Sequence, residues 1–467
     1  MSMPKEYITP GVYVQETSST PPAIEAMASG VPVFIGYTEL AGTSQEPLTL
    51  VPRRISHQWE FIQLFGSAYP ESGFAVSIKA DGTAAAQVQS TSPHVLHDSL
   101  ELFFANGGQD CWVISVGRFK TANETLQLAE LQAGLDIAAT MQGVDLIVIP
   151  EMQALSLDDY RTLADAALSH AATCHDRFVI LDMLFKPAPG NTSSLAQHFH
   201  EGLEIYREQG IGQQHLSWGA VYAPHLLVSL PRRLDEPNIQ VTLADGSELS
   251  LSNLFAHHRA LYTAVIAAIH AQPRVLPPSG AIAGCYAAQD RNRGIWKAPA
   301  NMTLSLVNAP AVELPVADYE TMNVDVMRGK SINPIRLFTH KGTLVWGART
   351  LAGNDNEWRY VPTRRLCTWI ETCIRRSSGW LTFEENTPAT WQTLQSSVET
   401  FLMMLWRNSV FTGEKPEQAF FVRVGQGLTM TLQDVADGRV RLEIGVATQR
   451  PAEFVHMQLS FMLGAQA

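Results

Sequence analysis

Three carboxylates, Asp145, Glu151 and Asp182, fall at the ends of apolar runs that read as buried strands. That is where parallel α/β folds commonly place acids and bases for catalysis. The motifs that would turn position into chemistry are missing. Gly329-Lys330-Ser331 imitates the end of a phosphate-binding loop, but position 324, where its first glycine belongs, is Val324. Without that glycine the chain cannot turn its amides onto a phosphate. Gly210-Ile-Gly212 and Gly425-Gln-Gly427 lack the third glycine of a dinucleotide fold. There is no GxSxG elbow and no HExxH. The pairs His198/His200 and His257/His258 are spaced by two and by one, so on a helix they point to different faces and do not form a metal site. Cys111, Cys174, Cys285, Cys367 and Cys373 are scattered and odd in number, which fits buried free thiols. No catalytic, cofactor-binding or metal-binding residue is assigned, and an α/β enzyme or ligand-binding protein stands as an alternative resting on fold position alone.

The elements that would hold such groups follow from composition and pattern. With 467 residues, 46% hydrophobic and 17% charged, the chain can build two or three domains with a sizeable core. No apolar run reaches the ~18 residues of a membrane span. The N-terminus lacks the apolar stretch of a signal peptide, so synthesis in the cytosol is expected. The formal net charge is −12, yet from Lys330 onward 15 basic residues face 12 acidic ones, so the acidity lies in the first 329 residues. That balance argues against general nucleic-acid binding and suits a mildly basic face meeting an acidic partner.

In chain order, Pro10-Gly11 followed by Val12, Tyr13, Val14, Gln15 and Glu16 reads as a short strand, tethered by the Ser/Thr/Pro stretch from Thr17 to Pro22. A lone strand must pair with a sheet edge in its own chain or a neighbour's. Strands are predicted at Val31–Tyr37, Leu48–Val51, Cys111–Val116, Val144–Pro150, Phe178–Asp182 and Gly219–Val228. Helices are predicted at 56–65, 94–107, 126–139, 157–175 and 194–209, the fourth capped by Ser156 with Asp159 three residues on. A loop is expected from Gly66 to Pro93. Asp245-Gly246 marks a hairpin, and one helix is expected over 252–270. The alternation predicts a largely parallel α/β sheet. An amphipathic helix over 363–377 carries Leu366, Ile370 and Cys373 or Ile374 on one face, flanked by Arg364, Arg365, Arg375 and Arg376.

The last third is dense in landmarks: Asn333-Pro334-Ile335-Arg336-Leu337-Phe338, Val345-Trp346-Gly347-Ala348-Arg349, Trp358-Arg359-Tyr360-Val361-Pro362, Phe383-Glu384-Glu385-Asn386, Trp391, Leu405-Trp406, Ala419-Phe420-Phe421-Val422 and Pro451-Ala452-Glu453-Phe454-Val455. With Pro10-Gly11-Val12-Tyr13 at the start and Lys297-Ala-Pro-Ala-Asn301 in the middle, this order resembles the contractile tail sheath proteins of phages and of phage-tail-like extracellular injection particles. The antifeeding-prophage and Photorhabdus-cassette particles are of that kind. The resemblance spans nearly the whole chain and is weakest over 38–276.

The resemblance implies a tail-sheath-like architecture, α/β and α+β, with three parts. These are a linking arm (1–30), an outer largely parallel α/β domain (31–329) with an insertion at 38–95, and an inner C-terminal α/β domain (330–467) completed by the arm. It implies a structural, non-enzymatic subunit that forms stacked hexameric rings around an inner tube and contracts to drive the tube through a target envelope. It implies no cofactor and no membrane insertion. The implied partners are copies of itself, sheath paralogues, the tube protein, and baseplate and terminator or cap proteins, within a phage tail or a released extracellular particle. Val12, Tyr13, Val14 and Gln15, with Phe454, Val455, Met457 and Leu459, would be strands that link subunits. Arg364, Arg365, Arg375 and Arg376 would be candidates to face the tube. An adaptor-ring paralogue present in few copies is a further reading.

Overall fold

A computed structural model describes residues 22–43, 45–121, 124–185, 195–449 and 454–463. Val12, Tyr13, Val14 and Gln15 lie outside the described residues. The chain divides into two compact units, a larger one of residues 27–372 and a smaller one of residues 1–26 and 373–467.

The larger unit begins with β1 (Pro32–Thr38), whose seven residues are all buried, as an apolar strand covered on both faces must be. The strand expected at Leu48–Val51 is reduced to a single parallel bridge from Thr49 to Ser115, with Leu50 at φ 57° in a turn, and β2 (Arg53–Ile55) follows. After α1 (Gln58–Phe65), the expected loop contains the hairpin of β3 (Phe74–Ile78) and β4 (Ala84–Val88). Its alanines and serines have little β propensity, but every second residue of β3 is buried, and Gly82 supplies the positive φ that the turn requires. There follow α2 (Leu96–Ala105), β5 (Cys111–Arg118), α3 (Leu128–Ala139), β6 (Leu146–Val148) and α4 (Leu157–Cys174). The amide of Asp159 donates to Ser156 Oγ at 3.2 Å, which caps α4 as its sequence predicts.

Beyond α4 come β7 (Phe178–Asp182), α5 (Leu195–Ile205), β8 (Gly219–Ala223) and β9 (Leu226–Val228). The single strand expected over 219–228 divides at Pro224, and its two halves enter different sheets. After β10 (Gln240–Thr242) and β11 (Glu248–Ser250), the helix expected over 252–270 breaks at His258 into α6 (Leu251–His257) and α7 (Arg259–His270). The unit closes with β12 (Val275–Leu276), α8 (Ser279–Arg293), β13 (Met302–Thr303), β14 (Val307–Pro310), α9 (Val316–Asn323), β15 (Ile332–Phe338), β16 (Gly342–Val345) and most of α10 (Val361–Ser377).

Nine strands form one sheet in the order β13-β16-β15-β8-β7-β6-β1-β5-β2. It is parallel from β15 through β5 and antiparallel at both ends. The apolar residues of β1, β6, β7 and β8 feed two core clusters, one on each face. Two boundaries drawn from sequence are thereby corrected. The sheet continues past residue 330, because Ile332, Asn333 and Pro334 pair with Val221, Tyr222 and Ala223. And 38–95 is not one insertion: β3 and β4 join β10 and β11 in a four-stranded sheet, with Val265 and Ile269 of α7 in its core.

The smaller unit contains α11 (Pro388–Arg407), α12 (Pro416–Ala419), β17 (Phe420–Val424), α13 (Leu432–Ala436), β18 (Arg439–Ala447) and β19 (Phe454–Met462). Leu394, Val398, Phe401, Leu402 and Leu405 are buried on α11, as the helical spacing predicts. The three strands form an antiparallel sheet in the order β17-β18-β19.

Asn333, which opens the first landmark of the last third, is wholly buried. Its Nδ2 donates to Val221 O (3.2 Å) and Arg349 O (2.8 Å), and its Oδ1 accepts from the Arg349 amide (2.7 Å). Asn333→Ala would strand these backbone groups. It is expected to cost about 3 kcal/mol, read as a shift of the larger unit's urea unfolding to lower denaturant.

Candidate assembly site

The expected interaction helix is α10, and the structure turns its first half inward. Arg365 is buried within the larger unit and grips Asp290 of α8 with two nitrogens, Nη1 at 3.0 Å and Nη2 at 2.6 Å. Nη2 also meets Asp145, just before β6, at 2.8 Å. Asp145 accepts the amides of Gly30 (2.9 Å) and Val31 (2.6 Å). One turn further along α10, Trp369 Nε1 donates to Met27 O at 2.8 Å. Residues 27–31, the root of the N-terminal segment, are therefore tied to the sheet and to α10 by charge-assisted and ordinary hydrogen bonds. The Arg365 guanidinium lies 4.8 Å from the Tyr286 ring centroid, and Tyr286 shares a 2.8 Å hydroxyl contact with Tyr222. Burial pulls the guanidinium pKa down, but the carboxylates of Asp290 and Asp145 more than offset this and raise it.

Arg364 is also buried. It lies between two indoles, 4.1 Å from the Trp218 centroid and 3.9 Å from that of Trp358, and its Nε donates to Thr368 Oγ1 at 3.1 Å. Arg364 and Arg365 thus hold the fold together and are not surface groups, which corrects their expected place toward a tube. Their partners come from positions far away in sequence, so helical spacing could not reveal them. Arg375 and Arg376, in the last turn of α10, are exposed. Sequence reasoning missed Asp290 and Trp369. Asp290 lies seven residues before the Lys297–Asn301 run that carries part of the family resemblance, and that was its only signal.

The three acids at strand ends accept backbone amides. Glu151, fully buried, takes Tyr37 N (2.7 Å) and Val95 N (3.2 Å). Asp182 takes Ser279 N at 2.6 Å, at the start of α8, and burial pushes its pKa up to about 7 although the Ser279 bonds pull the other way. Lys330 sends its Nζ to the carbonyls of Arg207 (2.6 Å) and Ile211 (2.7 Å), and burial lowers its pKa. It braces a chain crossing and cradles no phosphate. Among the described residues, His97, Asp98 and Glu101 bring potential ligand atoms within 4.8 Å of one another. Asp98, however, is already paired with Arg274 at 2.6 Å, which places a fixed cation beside that group.

In the smaller unit, Glu25 N donates to Ser377 Oγ at 3.0 Å. Here β19 pairs along its whole length with β18 of the same chain, with Val446 opposite Val455, Ile444 opposite Met457 and Leu442 opposite Leu459. Val455, Met457 and Leu459 are buried, and Phe454 is partly buried with its ring 5.7 Å from that of Phe421. The strand expected to link subunits is thus paired with β18 within the single chain. Among the described residues, no strand pairs with the outer edge of β17 or of β19.

No protein-family model matches the sequence, and no curated protein matches it. Solved structures do match along almost the whole chain. A chain of the anti-feeding prophage (AFP) baseplate, 6-fold symmetrised, is 27% identical over 97% of this chain and 99% of its own, with a TM-score of 0.63. A chain of the sheath complex of PVC, an extracellular contractile injection system, in the contracted state is 25% identical over 98% of both chains (TM-score 0.63). A chain of the AFP helical sheath in the contracted state is 27% identical over 97% and 99% (TM-score 0.61). A sheath tail protein from Desulfitobacterium hafniense, 10% identical over 97% and 100% (TM-score 0.51), shares the fold. Among the described residues, no helix is long and apolar enough to cross a membrane.

Replacing Arg365 by Met would leave Asp290 buried without its counter-charge. A loss of about 3–5 kcal/mol in urea unfolding is expected, with faster proteolysis at residues 22–31. The raised pKa of Asp182 has the opposite sense. Its contribution to stability is full below about pH 4 and is lost as pH rises toward 7, because the folded state holds the proton more tightly. Asp182→Asn retains an acceptor for Ser279 N. It should flatten that part of the stability-versus-pH curve, by a few kcal/mol at most.

Proposed function

We propose that this chain, which has the fold of the contractile injection system sheath proteins, is a sheath subunit that assembles with copies of itself into hexameric rings stacked around an inner tube. The observation that carries this reading is the match to the contracted AFP and PVC sheaths over 97–98% of the chain, with both compact units included. Contraction then drives the tube through a target cell envelope, and the particle is completed by baseplate and terminator proteins.

The geometry suits a subunit that is pulled. A linking arm transmits force to its root, and residues 27–31 are fastened to Asp145, Arg365 and Trp369. From Asp145 and Asp290 the force passes into β6 and α8, parts of a core buried on both sides of the large sheet. Among the described residues no strand pairs with the outer edges of β17 and β19, which supports their use by an arm strand from another copy. Strand addition is a strong link that tolerates sequence variation. Val12, Tyr13, Val14 and Gln15 are the donor strand in this reading. Phe454, Val455, Met457 and Leu459 can exchange their own sheet for a neighbour's at little cost, because the same ladder re-forms. Contraction needs no nucleotide, since the free energy is stored in the lattice at assembly and released ring by ring. Arg375 and Arg376 remain candidates to face the tube. The alternative of an enzyme is not favoured, because each acid at a strand end is spent on backbone amides.

The equal TM-score of the baseplate chain supports a second reading, a paralogue confined to the ring beside the baseplate. Electron microscopy of the chain co-expressed with its tube protein tests both. Long cylinders of stacked rings are expected for a main sheath subunit, and single rings at tube ends for an adaptor. Small discrete oligomers under every condition would overturn the sheath reading. Val14→Pro, which removes a donor from the arm strand, should leave folded subunits that build no cylinders.

A further inference from the structure

The larger unit carries a groove of about 460 Å³ beside α9 and β15, lined by Val316, Tyr319, Val324, Pro334, Arg336 and Trp346. Its one cationic lining residue is held in an unusual way. The Arg336 guanidinium stacks on two rings, 4.6 Å from the Tyr319 centroid and 4.9 Å from that of Phe338. Phe338 in turn packs on Trp346 at 4.6 Å, and Leu314 N donates to the Tyr319 hydroxyl at 3.3 Å. The guanidinium is thus oriented by rings, and among the described residues it meets no carboxylate and makes no hydrogen bond. Stacked arginine with free edge donors is well suited to take a carboxylate in its plane. Glu320 and Asn323 also line the groove, so its apolar walls carry one positive group, one negative group and an amide.

The smaller unit presents a feature of complementary character. Phe383 is 91% exposed at the end of a short helical turn, while Leu381 two residues earlier is buried. Glu384 and Glu385 follow, both exposed and without an ion pair among the described residues. The turn is fixed at both ends. Glu384 N donates to Leu381 O at 3.1 Å, and Asn386 accepts from Trp391 Nε1 at 2.6 Å and donates to Val435 O at 3.1 Å. An aromatic side chain left in water on a rigid mount, followed by two carboxylates, matches an apolar groove that carries an unpaired arginine.

We infer that Phe383 and Glu384 of one copy dock into the Val316–Arg336–Trp346 groove of another, Phe383 among the apolar walls and Glu384 on Arg336. The contact joins two different surfaces, so it is heterologous, and contacts of that kind build helical stacks. The inference rests on the sheath reading, and its test separates the two. One chain bearing Phe383→Cys and another bearing Val316→Cys, both with Cys174→Ser because Cys174 is the one only partly buried cysteine, are co-assembled with the tube protein and oxidised. Cylinders by electron microscopy report the sheath reading; the gel reports the docking. A reducible dimer of the two chains is expected, and only when both are present. A second pair, Glu384→Cys with Val316→Cys, keeps the aromatic ring in case assembly depends on it. Cylinders that give no dimer with either pair, or a disulfide from the thiol introduced at position 316 to the tube protein instead, would overturn the docking. Failure of the unaltered chain to form cylinders would overturn the sheath reading and the docking with it. Arg336→Glu and Glu384→Arg should each lower cylinder yield by about tenfold and recover it when combined.

Discussion

The buried guanidinium of Arg365 is the constraint on which most of the larger unit depends. It brings together three chain segments that are far apart in sequence: α10, the end of α8 through Asp290, and the approach to β6 through Asp145. Removing a charge of this kind from water costs several kcal/mol. The cost is offset only because two carboxylates and an aromatic face surround it. Having committed two carboxylates to one arginine, the fold uses the spare lone pairs of Asp145 to hold the amides of Gly30 and Val31. The chain is thereby fixed where it enters β1.

The parallel sheet supplies the rigidity that such an anchor needs. Its central strands are buried on both faces, and its acids accept backbone amides at helix starts and strand ends. The smaller unit is built on the opposite plan, a short antiparallel sheet whose outer edges meet no other strand among the described residues, with one long helix.

Much of this was legible in the sequence. The apolar runs at 31–37, 111–116, 144–150 and 178–182 predicted the parallel core, because strands without polar alternation must be covered on both sides. Ser156 predicted its helix start through a local bond. The order of landmarks in the last third pointed to the sheath proteins. Misreadings fell where local signals are weak or misleading. The hairpin at 74–88 is written in alanine and serine, and the helix over 252–270 has no proline or glycine to mark its break at His258. The boundary at 330 followed the family resemblance, whereas β15 continues the sheet because Asn333 and its neighbours pair with β8.

By itself the sequence determined most element types of the parallel core, the absence of the common catalytic motifs and the resemblance to contractile sheaths, since each of these is carried by residues adjacent or periodic along the chain. Only the tertiary structure decided the fate of the arginines on α10. Four of them look equivalent on a helical wheel, yet two are buried against carboxylates and indoles contributed by residues 145, 218, 290 and 358, and two are exposed. Whether a charge is a surface group or an internal fastener depends on what the fold brings to meet it, and that information is not local.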